Sequence, residues 1–111
     1  MKLLSRPEEQ VMLAIWHLQE NAYLVTIREY LSRKSGKEWT VGAIYVPLDR
    51  ITKMNYTEIR FGESTPERGG RRKKFYKLTK TGLAALSDLQ KVHAELWKGV
   101  PRIDSNGEIV L

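Results

Sequence analysis

The hydrophobic period of this chain changes once, near Asn55, and that change restricts the fold more than any other feature. Before Asn55 apolar residues recur every three or four positions, the spacing of helical faces. After it Thr57, Ile59 and Phe61 alternate with Glu58 and Arg60, which predicts a half-buried strand. The turn-rich stretch GESTPERGGRR follows, and then Lys74, Tyr76 and Leu78 alternate with Lys73, Phe75 and Lys77. Two alternating runs joined by a Gly-rich loop predict an antiparallel hairpin.

The helical part divides into three. Ser5-Arg6-Pro7-Glu8 is a capping box with Pro in the first turn, and Val11, Ile15 and Leu18 continue a helical stripe to about Asn21. A second box at Thr26-Ile27-Arg28-Glu29, with Val25 and Tyr30 as a staple, predicts a helix ending near Ser35-Gly36. A third helix is expected after Thr40, with Ile44, Leu48 and Ile51 on its inner face and Gly42, Val46, Asp49 and Lys53 pointing away. Pro47 lacks an N–H for the Ala43 carbonyl, so a local kink is expected there. After the hairpin, Thr79 caps a fourth helix whose Leu86, Leu89, His93, Leu96 and Val100 are spaced as a short coiled-coil seam. Gly99 and Pro101 end it, and Asn106-Gly107 signals a type I′ hairpin in the tail.

Charge is unevenly placed. The net charge is +6, yet Arg68 to Lys80 holds seven basic residues and no acidic one. The remainder has twelve basic and thirteen acidic residues, so the whole excess lies in thirteen positions of the hairpin. A concentrated basic arm is the electrostatic footprint of a polyanion site.

The length of 111 residues suits one core, and 41% hydrophobic with 29% charged residues describes a soluble globular protein. The apolar runs are too short for a membrane span, and MKLLSRPEEQ does not read as a signal peptide. The absence of cysteine fits a reducing cytoplasm. His17 and His93 stand in different helices without carboxylate or thiol at ligand spacing, so neither a metal site nor a cofactor is expected. GESTPERGG lacks the lysine and spacing of a P-loop, and no enzyme is expected.

The expected fold is mostly α with a small antiparallel β-hairpin, an α+β winged helix-turn-helix followed by a C-terminal dimerisation helix. Residues 1–79 form the DNA-binding domain in this reading, 80–100 the dimerisation helix and 101–111 a short tail with a candidate hairpin. Three helices and a hairpin put the third helix in the DNA major groove and the wing along phosphates.

VGAIYVPLDRITKMNY followed by TPERGGRRKKFYKLTKTGLAAL closely resembles the PadR-type transcriptional regulators over roughly Leu3 to Leu86. The shared pattern is a Gly-x-hydrophobic-Tyr recognition helix, a basic wing ending in an aromatic-x-Leu-Thr strand, and a Thr-x-x-Gly helix start. The resemblance implies a homodimeric DNA-binding repressor paired through its last helix, and some relatives respond to small aromatic molecules. The chain departs from the pattern at Leu24, where Gly is usual, at Val46-Pro47, and in its short C-terminal region.

The expected partners are duplex DNA, a second copy of the chain and a small aromatic effector. Arg68, Arg71, Arg72 and Lys73 of the wing, with Arg50, Lys53 and Tyr45, are the candidate phosphate contacts. Thr40, Gly42, Ala43 and Val46 are the candidates to meet bases, and being small or apolar they predict modest direct readout. Leu86, Leu89, His93, Leu96 and Val100 are the candidate dimer interface, and Trp97 the candidate ligand contact. Two other readings use the same sequence: a winged helix that docks an acidic protein, and a sensor binding a planar molecule beside Trp97.

Overall fold

A computed structural model describes residues 4–64 and 72–111. Helix α1 (Arg6–Leu18) begins on the expected box: the Ser5 N–H donates to the Glu8 carboxylate at 2.8 Å, and the Glu8 N–H donates to Ser5 Oγ at 3.3 Å. A 3-10 turn, Gln19–Asn21, follows. Helix α2 (Leu24–Ser35) starts two residues before the expected box. The Thr26 hydroxyl reaches backwards, accepting from the Tyr23 N–H at 3.0 Å, so Thr26 sits in the first turn and does not precede it. Val25 is exposed accordingly, and the Val25–Tyr30 staple is not the start of the helix. Gly36 closes α2 in the left-handed conformation, as its sequence position predicts.

Helix α3 (Val41–Lys53) is capped by Thr40, whose hydroxyl accepts from the Ala43 N–H at 3.1 Å. It runs through Pro47 as one helix, and Pro47 lies on the buried side with Ile44, Leu48 and Ile51. These side chains meet Val11, Met12 and Ile15 of α1 and Ile27 and Leu31 of α2 in one core. Trp39 braces the α2–α3 turn. It is buried, its N–H donates to Ser32 Oγ at 3.1 Å, its indole Nε1 to Ser35 Oγ at 3.2 Å, and its carbonyl accepts from Arg28 Nε at 2.6 Å.

Strands β1 (Thr57–Ser64) and β2 (Arg72–Leu78) pair antiparallel, with Thr57 opposite Leu78 and Phe61 opposite Lys74. The alternation of β1 is present, but its burial is not as the sequence predicts. Thr57 is buried, whereas Ile59 and Phe61 are exposed, because only the root of the hairpin reaches the core. Register shifts between Phe61 and Ser64, so Gly62 belongs to an irregular strand and not to the loop. A side chain at Gly62 would meet the Phe75 ring at 2.8 Å.

Helix α4 (Lys80–Trp97) is capped by the Thr79 hydroxyl, which accepts from the Gly82 N–H at 3.0 Å. The radius of gyration is 16.6 Å, against roughly 13 Å for a compact chain of this length, and the longest extent is 57 Å. The tail differs from the expected type I′ turn. The Gly107 N–H donates to the Asp104 carbonyl at 3.1 Å, and Gly107 rather than Asn106 has positive φ, giving a three-residue loop with Gly at its last position. The Asp104 carboxylate decides this by accepting from the Asn106 and Glu108 N–H groups, each at 2.9 Å.

Candidate nucleic-acid interface

The buried stripe of α3 fixes what the helix presents on its other side. With Ile44, Pro47, Leu48 and Ile51 inward, Gly42, Tyr45, Val46, Asp49 and Lys53 form the outward stripe at helical spacing. Val41, Tyr45 and Val46 are each more than half exposed, as isolated large apolar groups. A methyl at Gly42 would have nothing within 4 Å, so the space above the first turn of α3 is open. Thr40 is engaged as the cap, and Ala43 is exposed beside it.

The two cations of α3 are both held by carboxylates of the chain. Lys53 Nζ stands 2.9 Å from Asp49 Oδ2 one turn earlier, and that hydrogen bond holds its ammonium above the usual lysine pKa. Arg50 lies 3.9 Å from Glu8, a buried carboxylate at the start of α1. Neither partnership is part of the sequence reading. Asp49 and Lys53 have the spacing of a helical pair, but the Glu8–Arg50 contact crosses two elements and has no local signal.

The hairpin faces α3 with Thr57, Ile59, Tyr76 and Phe61 on one side. The Thr57 and Thr52 hydroxyls are 2.7 Å apart, tying the strand to the end of α3. Burial raises the pKa of the Tyr76 phenol, with Tyr45 and Asp49 adding to the effect, which puts the three groups near one another. On the other side Lys73 sits 4.3 Å from the centre of the Tyr23 ring, Tyr23 meets Phe75 edge-on at 5.4 Å, and Arg60 covers Phe75 at 4.5 Å. The Tyr76 N–H also donates to the Ala22 carbonyl at 2.8 Å. Together these anchor the root of the wing to the α1–α2 junction.

Arg72 is exposed on β2, and Lys73 is half-buried against Tyr23. Arg68 and Arg71 lie outside the described residues. The expected seam on α4 separates into two parts. Leu89 is buried, Leu86 packs on the core, and His93 Nε2 is 3.1 Å from Glu9 of α1, so these three meet their own chain. Leu96 is 71% exposed, Trp97 65% and Val100 44%. Among the described residues no group of three or more metal-ligating side chains comes together. No helix among them is long and apolar enough to cross a membrane.

The arrangement is similar to a PadR-like transcription factor from Bacteroides fragilis, with 28% identity over 84% of each chain and a TM-score of 0.68. The fold is that of the PadR-like winged helix-turn-helix proteins. Two further structures share this fold. A PadR-like transcriptional regulator from Bacillus cereus is 24% identical, with 84% of this chain and 85% of that one covered and a TM-score of 0.66. A PadR family transcriptional regulator from Eggerthella lenta is 23% identical, with 81% and 76% covered and a TM-score of 0.64. No protein-family model and no curated protein matches the chain. The PadR-type fold thus stands here among transcription factors and not among enzymes.

Proposed function

We propose that the chain is a duplex-DNA-binding transcriptional regulator, acting in the cytoplasm as a homodimeric repressor. The observation that supports this reading is the outward stripe of α3, open at Gly42 and apolar at Val46, in a chain whose excess positive charge is concentrated from Arg68 to Lys80. Gly in a first helical turn costs stability relative to Ala, and none of the described residues occupies the space it leaves. A DNA backbone or base edge is the kind of partner that needs such clearance.

In this reading α3 enters the major groove through Thr40, Gly42, Ala43 and Val46, where small and apolar groups suit thymine methyls. Tyr45, Arg50 and Lys53 meet phosphates from the helix, and Arg68, Arg71, Arg72 and Lys73 meet them from the wing. Leu96, Trp97 and Val100 supply the apolar surface for a second copy, with Leu86, Leu89 and His93 setting the direction of α4 from within. Trp97, exposed at that surface, is also where a planar effector would stack.

The test is binding to duplex DNA across a salt series. Changing Arg71, Arg72 and Lys73 to Ala should weaken binding to all duplexes alike. It should flatten log K against log salt by about 0.9 for each phosphate no longer neutralised, and by twice that in a dimer. An unchanged slope would show that the wing does not hold phosphates. A footprint on DNA upstream of the coding region would then define the operator.

A further inference from the structure

The outward stripe of α3 contains one charged acceptor, and the DNA-binding reading gives it no role. Asp49 lies between Val46 and Lys53, its side chain 39% exposed and fixed by the 2.9 Å contact with Lys53 Nζ. We propose that Asp49 is a specificity-determining residue, which admits a base presenting an amino group in the major groove and rejects one presenting only acceptors. This rests on the DNA-binding reading above.

A carboxylate has no proton to donate. Facing guanine it meets N7 and O6, and facing thymine it meets O4, all acceptors. Facing cytosine N4 or adenine N6 it accepts a hydrogen bond. The other candidate base contacts on α3, Thr40, Gly42, Ala43 and Val46, provide little hydrogen-bonding discrimination, and the Thr40 hydroxyl is already engaged in its cap. Asp49 is thus the strongest hydrogen-bonding discriminator of the stripe.

Its neighbours sharpen the effect. Lys53, 2.9 Å away, holds the carboxylate in one orientation. A phosphate that takes Lys53 must come near the Asp49 charge. With Asp49 beside Lys53 and Glu8 3.9 Å from Arg50, the net positive charge that α3 offers to phosphates is reduced. Docking of the helix therefore depends on the base step that satisfies Asp49.

The experiment selects bound duplexes from a library with a randomised central segment, using the wild-type chain and the Asp49→Asn and Asp49→Ala variants. Thermal melting confirms that each is folded. The wild type should enrich cytosine or adenine at one step of each half-site. Asp49→Ala should lose that preference while keeping those at other steps, and Asp49→Asn, whose amide also donates, should lose the cytosine preference and keep or gain adenine. Affinity for a mixed-sequence duplex should rise roughly fivefold in both variants, the effect of one like charge near a phosphate in water. Adding Lys53→Gln to the Asp49→Ala chain should weaken binding to all duplexes alike and leave its base preferences unchanged. Enrichment unchanged at every step in both variants would overturn the role of Asp49. A wild-type chain that binds no duplex at low salt would instead overturn the DNA-binding reading itself.

Discussion

Helices α3 and α4 are both amphipathic, and they use their apolar faces differently. Helix α3 buries Ile44, Pro47, Leu48 and Ile51 within thirteen residues. Helix α4 has eighteen residues and buries only Gly82 and Leu89. The first is fixed to the core along its length, so its outward stripe has no part in holding the fold. The second is held to its own chain as far as His93 and ends at Trp97, short of the expected Val100, leaving Leu96, Trp97 and, after the helix, Val100 in water. Helix α3 thus presents Val41, Tyr45 and Val46 on a surface fixed from behind, whereas the exposed apolar residues of α4 lie beyond its last contact with the chain.

The contrast can be broken at its strongest point first. Ile44→Ala or Ile51→Ala should each cost about 3 kcal/mol in denaturant unfolding, since both are fully buried in a core shared by three helices. A cost below about 1 kcal/mol would mean that α3 is not fixed as described. Gly82→Ala should cost about 2 kcal/mol, because the new methyl would lie 2.3 Å from the Tyr56 carbonyl oxygen, a backbone atom with little room to move. Leu89→Ala should cost about 2 kcal/mol, the low end for a buried leucine, since it lies outside the main core.

The smallest effects on stability should have the largest effects on assembly and binding. Leu96→Lys with Val100→Lys should change unfolding by less than about 0.5 kcal/mol, as surface substitutions do. If Leu96 and Val100 pair two copies, the wild type should sediment as a dimer and the same variant as a monomer at equal concentration. Val46→Glu should be as mild in unfolding, yet abolish binding in a gel-shift assay. Were Val46→Glu to unfold the domain, Val46 would belong to the buried face of α3 and not to its outward stripe.

Much of the fold is legible in the sequence where a signal is local. Ser5 with Glu8, Gly36, Thr40 and Thr79 each satisfy backbone groups within four residues, and each stands where its pattern predicts. The patterns mislead where two local solutions compete. Thr26 can cap a helix that follows it or bond back to Tyr23, and the chain takes the second. Asn106-Gly107 signals one turn, and the Asp104 carboxylate imposes another.

Other features depend on contacts distant in sequence. Alternation marks Ile59 and Phe61 as a strand face, but not that the core ends at Thr57. Gly62 reads as a turn former because nothing nearby shows that the Phe75 ring lies across it. The seam spacing on α4 is a single pattern, and Glu9 and the α1 surface divide it in two. At the candidate site the basic residues are legible as charges, while their partners are not. Arg50 meets Glu8 across forty-two positions, and Lys73 meets Tyr23 across fifty.

The junction after β2 links the wing to α4 through a single joint. The Thr79 N–H donates to the Tyr56 carbonyl at 3.0 Å, its hydroxyl donates to the Asn55 carbonyl at 2.7 Å, and Gly82 rests on Tyr56 within the next turn. Strand and helix therefore pivot on the same loop and behave like two arms of a bell crank. A tilt of α4 would load the root of the hairpin through about one turn of backbone. Lengthening that joint by one residue would uncouple the arms and leave each of them intact.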